Sequence, residues 1–157
     1  MSYKLFAGMI ATSTAVMYVL MYLNTYAWDH IWWSETRFYM ALLMGATMAM
    51  IMLGFMLKMY KNKKANAGIF ATSVVVFLGS LWLVRSQDTV QDVAWMKAMI
   101  PHHSIAILTS ERAEISDPRV RELADEIIEA QRREIAEMKQ LIADLESDAN
   151  SEIASRD

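Results

Sequence analysis

Methionine and histidine recur at helical spacing in the second half of this 157-residue chain. Met96, Met99 and His103 lie three or four residues apart, which places them on one face of a helix. Thioether sulfur suits Cu(I), and imidazole binds Cu(I) and Cu(II) alike. The chain contains no cysteine, so disulfides and thiolate zinc sites are excluded. These residue types therefore indicate a site for Cu(I), with Ag(I) as a second ion of the same chemistry.

Polar residues also interrupt the apolar spacing of the helix that follows. Gln131 and Glu134 fall on a heptad line that is otherwise apolar, formed by Val120, Ala124, Ile127, Met138, Leu141 and Leu145. The corresponding line of the preceding helix consists of Met96, Met99, His103, Ala106, Ser110 and Ala113. If the two helices fold back near residue 116 as an antiparallel hairpin, positions that sum to about 233 face each other. This register pairs His103 with Gln131, Met99 with Glu134, and Met96 with Met138. We therefore expect the metal ligands to be Met96, Met99, His103, Glu134 and Met138, with Gln131 beside them.

Alternatives remain open for this candidate site. His102 is the sixth predicted metal ligand: it points about 100° away from His103 on an ideal helix, but Pro101 perturbs the backbone there, so it can join from the side. A histidine between helices can equally be a core residue bonded to Gln or Glu, and methionines on one face can be packing residues. No Glu-x-x-His pair, His-Glu-x-x-His motif or Gly-x-Ser-x-Gly motif occurs. We therefore predict that the protein is not an enzyme.

The first half of the chain is strongly apolar and predicts three membrane spans. Residues 1–84 carry eight charged side chains, whereas residues 85–157 carry 25, of which 16 are acidic. Three apolar runs are each long enough to cross a bilayer as a helix, at about residues 5–28, 38–60 and 67–84. The acidic second half repels phosphate, so nucleic acid is not an expected partner.

The basic residues of the loops predict the orientation of these spans. Four lysines lie at the end of the second run and before the third: Lys58, Lys61, Lys63 and Lys64. This loop and the N-terminus should therefore be cytoplasmic. The loop between the first two runs, with Asp29, His30, Trp32 and Trp33, should lie outside, as should the chain after Arg85. The expected location is a bacterial inner membrane, with lipid around the spans and the C-terminal domain in the periplasm.

Methionine is abundant in the apolar half, which holds 11 of the chain's 14. Five of them recur every four residues along the second run: Met40, Met44, Met48, Met52 and Met56. A four-residue step drifts by only about 40° around a helix, so these residues form one slanted stripe. Apolar packing explains such a stripe, and so does a thioether path for Cu(I) through the membrane. Both interpretations stay open.

The acidic half is predicted to form two helices, about residues 87–116 and 118–145, with a polar tail at 147–157. Asp88 and Asp117 are candidate N-caps. Pro118 suits the first turn of the second helix, and Pro101 should kink or split the first. The predicted fold is all-α: a three-span transmembrane domain over residues 1–85, followed by an extracytoplasmic antiparallel hairpin over residues 86–146.

A two-helix hairpin has too little core to be stable alone. Six apolar residues lie off the predicted seam, the line through which the two helices contact: Ile100, Ile105, Leu108, Ile128, Ile135 and Ile142. They would be covered if two hairpins met as a four-helix bundle. We therefore predict a homo-oligomer, most simply a dimer, with a trimer as the alternative.

Two runs in the acidic half are specific enough to carry a resemblance. They are Met-Ile-Pro-His-His at residues 99–103 and Gln-x-x-Glu-Ile-x-x-Met at residues 131–138, with Asp-Pro-Arg-Val-Arg at residues 117–121 between them. Through them, residues 96–145 resemble domain-of-unknown-function family 305, in a membrane-anchored subgroup with three N-terminal spans. The resemblance implies a ferritin-like helical hairpin, often found in copper- or silver-handling contexts, that binds metal at its Met/His motif. It implies no reaction.

Three functions follow from these observations. The first is an inner-membrane protein that captures Cu(I) or Ag(I) outside the cytoplasm for copper tolerance, sequestration or delivery, with periplasmic copper proteins as candidate partners. The second is a transport protein in which the methionine stripe conducts copper. The third is an assembly subunit without metal, whose hairpin docks onto a larger membrane complex.

Overall fold

The computed structural model describes residues 2–154, and every regular element in this part of the chain is helical. Five α-helices follow one another: α1 (Tyr3–Leu20), α2 (Glu35–Met56), α3 (Lys63–Ser86), α4 (Asp92–Arg112) and α5 (Pro118–Ala154). The all-α prediction is confirmed. The chain divides into two compact units: the first contains α1, α2 and α3, and the second contains α4, α5 and the segment Tyr22–Ser34.

The three helices of the first unit are each long and apolar enough to cross a membrane, which agrees with the prediction of three spans. The first differs most from its predicted run, because α1 ends at Leu20 rather than at Trp28. The segment Tyr22–Ser34 leaves the helix and belongs to the second unit, with only a short 3-10 turn at Trp28–His30. Apolar composition alone does not distinguish a lipid-facing span from a segment that packs against protein.

Small residues allow α2 to pack closely against its neighbours in the first unit. Its buried positions are Ala41, Gly45, Ala46, Ala49 and Leu53. Small side chains four residues apart favour this close helix contact. Beyond them, Phe6 and Tyr60 belong to an apolar cluster. The buried Asn66 side chain fixes that cluster, since it donates to the Tyr60 carbonyl at 2.7 Å and accepts from the Tyr3 hydroxyl at 2.8 Å.

The start of α4 differs from the prediction. The helix begins at Asp92, so Gln91 rather than Asp88 is its N-cap. Pro101 lies inside it but does not split it. A proline there removes one backbone hydrogen bond, and its ring is fully buried, which offsets part of that loss.

The start of α5 agrees with the prediction. Pro118 is its first residue, and the Asp117 carboxylate accepts the Arg119 backbone N–H at 2.9 Å. The helix then continues to Ala154 through most of the predicted polar tail. Residues 155–157 of that tail lie outside the described residues.

α4 and α5 pack as an antiparallel hairpin, but through faces turned by about half a residue position from the predicted seam, of which Met96, Ala124 and Met138 stay buried. The buried core consists of Met96, Ile100, Ile107, Ile135, Met138 and Ile142. Residues expected on the seam are exposed instead: Val120, Ile127, Leu141 and Leu145. One residue corresponds to about 100° around a helix. Packing through the isoleucine face is favoured because it buries more apolar area than the predicted face of α4. The second half of that predicted face offers only Ala106, Ser110 and Ala113.

This rotation also changes the argument for oligomerisation. Ile100, Ile135 and Ile142 were expected to need a second hairpin, yet each is at most 3% exposed within one chain. These three isoleucines are therefore covered without a second hairpin, whereas Ile105, Leu108 and Ile128 are half-buried.

The contact between Gly45 and Thr14 gives a test of the packing in the first unit. A Cβ at position 45 would collide with the Thr14 side chain, whose hydroxyl is held by the Ile10 carbonyl at 2.8 Å. We expect Gly45→Ala to destabilise the detergent-solubilised protein by about 1–3 kcal/mol, despite the better helix propensity of Ala. Gly54→Ala is the matched control, because a Cβ there meets nothing within 4 Å. Equal thermal stability of both variants would contradict this packing, and Thr14→Ala should rescue Gly45→Ala.

Candidate metal-binding site

A histidine of α4 and a carboxylate of α5 meet across the hairpin. His103 Nε2 lies 2.8 Å from Glu134 Oε2. The His103 side chain is 13% exposed and that of Glu134 is 44% exposed, so the pair lies at the edge of the core. The sequence predicted both residues at one level but paired His103 with Gln131. Gln131 instead donates from Nε2 to Glu134 Oε2 at 3.3 Å, so it steadies the carboxylate.

The other ring nitrogen of His103 is held by its own helix. Nδ1 lies 3.0 Å from the Met99 backbone carbonyl, one turn earlier in α4. A carbonyl only accepts, so Nδ1 carries the hydrogen. Nε2 is therefore the nitrogen that points at Glu134, and it can offer a lone pair to a metal ion when the imidazole is neutral. Histidine ligands are typically held in this way, with the second ring nitrogen donating to a carbonyl or carboxylate.

The predicted methionine ligands lie in the adjoining core. Met96 and Met138 are buried in the same apolar cluster, and Met99 packs against that cluster. His102 is exposed, and its ring centroid lies 6.2 Å from that of His103. The hairpin therefore holds the imidazole and the carboxylate in contact, and it keeps the three methionines in or against the apolar cluster. Within residues 2–154, no group of three or more His, Cys, Asp and Glu side chains gathers around one point.

A serine next to His103 organises a part of the unit that sequence reasoning missed. The Ser104 hydroxyl is fully buried; it accepts the Tyr26 backbone N–H at 2.7 Å and lies 2.9 Å from His30 Nδ1. One buried hydroxyl of α4 thus holds the segment Tyr22–Ser34 at two points. Nothing in the spacing of these residues indicated the contact, because residues 26 and 104 are distant in sequence.

Charged and aromatic contacts extend this docking. Asp29 accepts from Lys139 Nζ at 2.5 Å, and Lys97 Nζ lies 5.6 Å from the centroid of the Trp32 ring. Trp32 also packs against the hairpin core. The segment, which joins α1 to α2, therefore packs on the hairpin within the second unit.

The methionine stripe of α2 belongs to the first unit. Met40 is exposed, whereas Met44, Met48, Met52 and Met56 are half-buried. Met52 and Met56 pack against the cluster of Phe6 and Tyr60. Packing therefore accounts for one end of the stripe.

The family comparison falls mainly on the second unit. Residues 83–155 match the family described as "Domain of unknown function (DUF305)", a range that contains all of α4 and α5. The chain is 33% identical over 102 residues to an uncharacterised protein of Acanthamoeba polyphaga mimivirus. The aligned residues make up 60% of this chain and 67% of the viral protein. No solved structure matches the chain.

His30 gives the docked segment a predicted pH dependence. Burial, followed by the charge of Lys139, lowers the pKa of His30 below its ordinary 6.5, although Asp29 opposes the shift. A lowered pKa means that folding releases protons from this group, so its contribution is complete above about pH 6.5 and is lost as the pH falls towards the lowered value. Asp29 stays ionised throughout, because the hydrogen bond from Lys139 lowers its pKa as well.

We therefore expect backbone amides of residues 22–34 to exchange faster with deuterium at about pH 5 than at about pH 8, after correction for intrinsic rates. His30→Asn should remove this difference, because its amide oxygen can still accept from Ser104 and does not titrate. Equal pH dependence in the wild type and in His30→Asn would show that His30 is not the cause.

Proposed function

The chain belongs to the family described as a domain of unknown function (DUF305), and from its own residues we propose that it binds Cu(I) or Ag(I). The observation that carries the proposal is the orientation of His103. Its Nδ1 is held by the Met99 carbonyl, and its Nε2 faces Glu134 beside a methionine-lined core. A cation would take the place of the proton between His103 and Glu134.

The donor set favours a soft monovalent cation. Thioethers are weak ligands for hard ions but suit Cu(I), and imidazole adds a stronger donor. Met96 and Met138 are buried, so their sulfurs are shielded from competing water. The carboxylate of Glu134 offsets the positive charge of the bound ion, and Gln131 keeps that carboxylate in place.

The proposed biological role is capture of the ion outside the cytoplasm, for tolerance, sequestration or delivery. The three apolar helices would anchor the hairpin at a bacterial inner membrane, and the lysine-rich loop before α3 supports a cytoplasmic position for that end. Periplasmic copper proteins are the partners that such a role requires. No reaction is proposed, because capture and release need none.

Replacing both ligand types in one variant tests the site. We expect His103→Gln and Met99→Leu together to weaken Cu(I) binding by about 100-fold or more in the full-length protein, measured by competition with a chromophoric Cu(I) chelator. Both changes are close to isosteric, so the hairpin should keep its helical content.

His102→Gln is the matched control, since its ring is exposed and lies beside the inward imidazole. We expect it to retain affinity within about tenfold. A wild-type protein that binds no Cu(I), or a double variant that binds as the wild type does, would contradict the proposed site.

The methionine stripe is tested in the same assay. If the hairpin alone captures the ion, replacing Met44, Met48 and Met52 with Leu should leave copper affinity and stoichiometry unchanged, because Leu preserves apolar volume. A lower stoichiometry would assign metal to α2. Loss of Cu(I) flux into proteoliposomes in this variant would favour the transport alternative.

A further inference from the structure

One face of α5 is apolar and uncovered in the single chain. Its side chains are 55%, 36%, 46% and 41% exposed at Leu123, Ile127, Leu141 and Leu145, respectively. We call these four residues the α5 stripe. It lies about 100° around the helix from the buried isoleucines, so the hairpin core does not cover it. Leaving four such residues open to water is unfavourable unless something packs on them.

The α5 stripe is symmetric about Glu134. Leu123 and Ile127 precede Glu134 by 11 and seven residues, and Leu141 and Leu145 follow it by seven and 11. Steps of seven and 11 residues each return to within about 20° of the starting direction on a helix. All four apolar side chains and Glu134 therefore share one face, with the carboxylate at the centre.

This symmetry fits a second copy of the chain. In an antiparallel pair of helices related by a two-fold axis, a residue n positions before the axis meets the residue n positions after it on the partner. With the axis at Glu134, Leu123 would meet Leu145 and Ile127 would meet Leu141, each twice. A partner of another sequence would gain nothing from this palindromic spacing.

The charges beside the α5 stripe agree with the same pairing at its centre. Arg133 and Glu137 lie on one flank of the stripe, and the two-fold brings Arg133 of each copy near Glu137 of the other. These opposite charges attract close to the axis. The like-charged Glu126 and Asp144 meet farther out, where they are exposed and screened by solvent.

The pairing has a direct consequence for the metal site. We propose that two copies pack through the α5 stripe and hold the metal between them, with His103 and Glu134 contributed by each copy. This proposal rests on the proposed function.

A single chain offers one imidazole and one carboxylate, whereas the pair brings four such ligands to the axis. Two facing carboxylates repel each other, and a bound cation offsets that repulsion. The half-exposed edge of Glu134 is the side that the second copy would cover.

Cross-linking tests the geometry without using metal. The chain has no cysteine, so Glu134→Cys provides a single thiol on the proposed axis. Two helices packed at a usual separation of about 8–10 Å bring the Cα atoms on the axis within disulfide range. We expect full-length Glu134→Cys in lipid nanodiscs to oxidise to a disulfide-linked dimer. Gln140→Cys, exposed on another face of α5, should stay mostly monomeric. Equal cross-linking of the two variants, or none, would overturn the pairing.

A charge on the stripe tests the shared site. Leu141→Glu should convert the dimer to a monomer by native mass and weaken Cu(I) binding by about tenfold to 100-fold. Gln140→Glu adds the same charge one residue earlier on another face and should change neither. A monomeric Leu141→Glu variant with wild-type affinity would overturn the shared site and leave the proposed function standing. If Glu134→Cys forms the cross-linked dimer while the wild type binds no Cu(I), the pairing stands and the proposed function is refuted.

Discussion

The second unit depends on a very narrow seam between two helices. Six side chains form its buried core: Met96, Ile100, Ile107, Ile135, Met138 and Ile142. Two helices alone rarely bury enough apolar surface to fold. The segment Tyr22–Ser34 therefore has a structural role, because Trp32 covers part of the core and the buried Ser104 hydroxyl ties the segment to α4. The segment that connects the first two apolar helices thus packs on the hairpin as its third structural element.

The polar pair within so small a core calls for an explanation other than stability. Replacing a partly buried ion pair with apolar residues of similar volume is often neutral or stabilising. The hairpin instead keeps the His103 imidazole in a fixed orientation through the Met99 carbonyl and fixes the Glu134 carboxylate through Gln131. Such restraint of both partners is what a binding site needs and what a packing contact does not.

The sequence predicted the fold class, the antiparallel hairpin and the shared level of His103 and Glu134, but it paired His103 with Gln131 and placed the seam about 50° from the observed one. Heptad counting found the line of Val120, Ile127, Leu141 and Leu145 because that line is apolar. It could not tell which of two apolar lines faces α4, since that depends on the area each buries against a particular partner. The contact of Ser104 with Tyr26 lay beyond such reasoning altogether, because a single serine carries no periodicity and the two residues are far apart in the chain.

The two apolar lines of α5 explain why the polar residues were found although the seam was not. Glu134 lies at the centre of the exposed stripe, and its carboxylate reaches sideways to His103 at the edge of the core. Glu134 therefore borders both the exposed stripe and the edge of the core, so a heptad count along either apolar line passes it. A carboxylate in this position couples packing on the α5 stripe to binding at His103. If copper prefers the paired state, pairing must strengthen copper binding by the same factor, because linkage between two binding events is reciprocal.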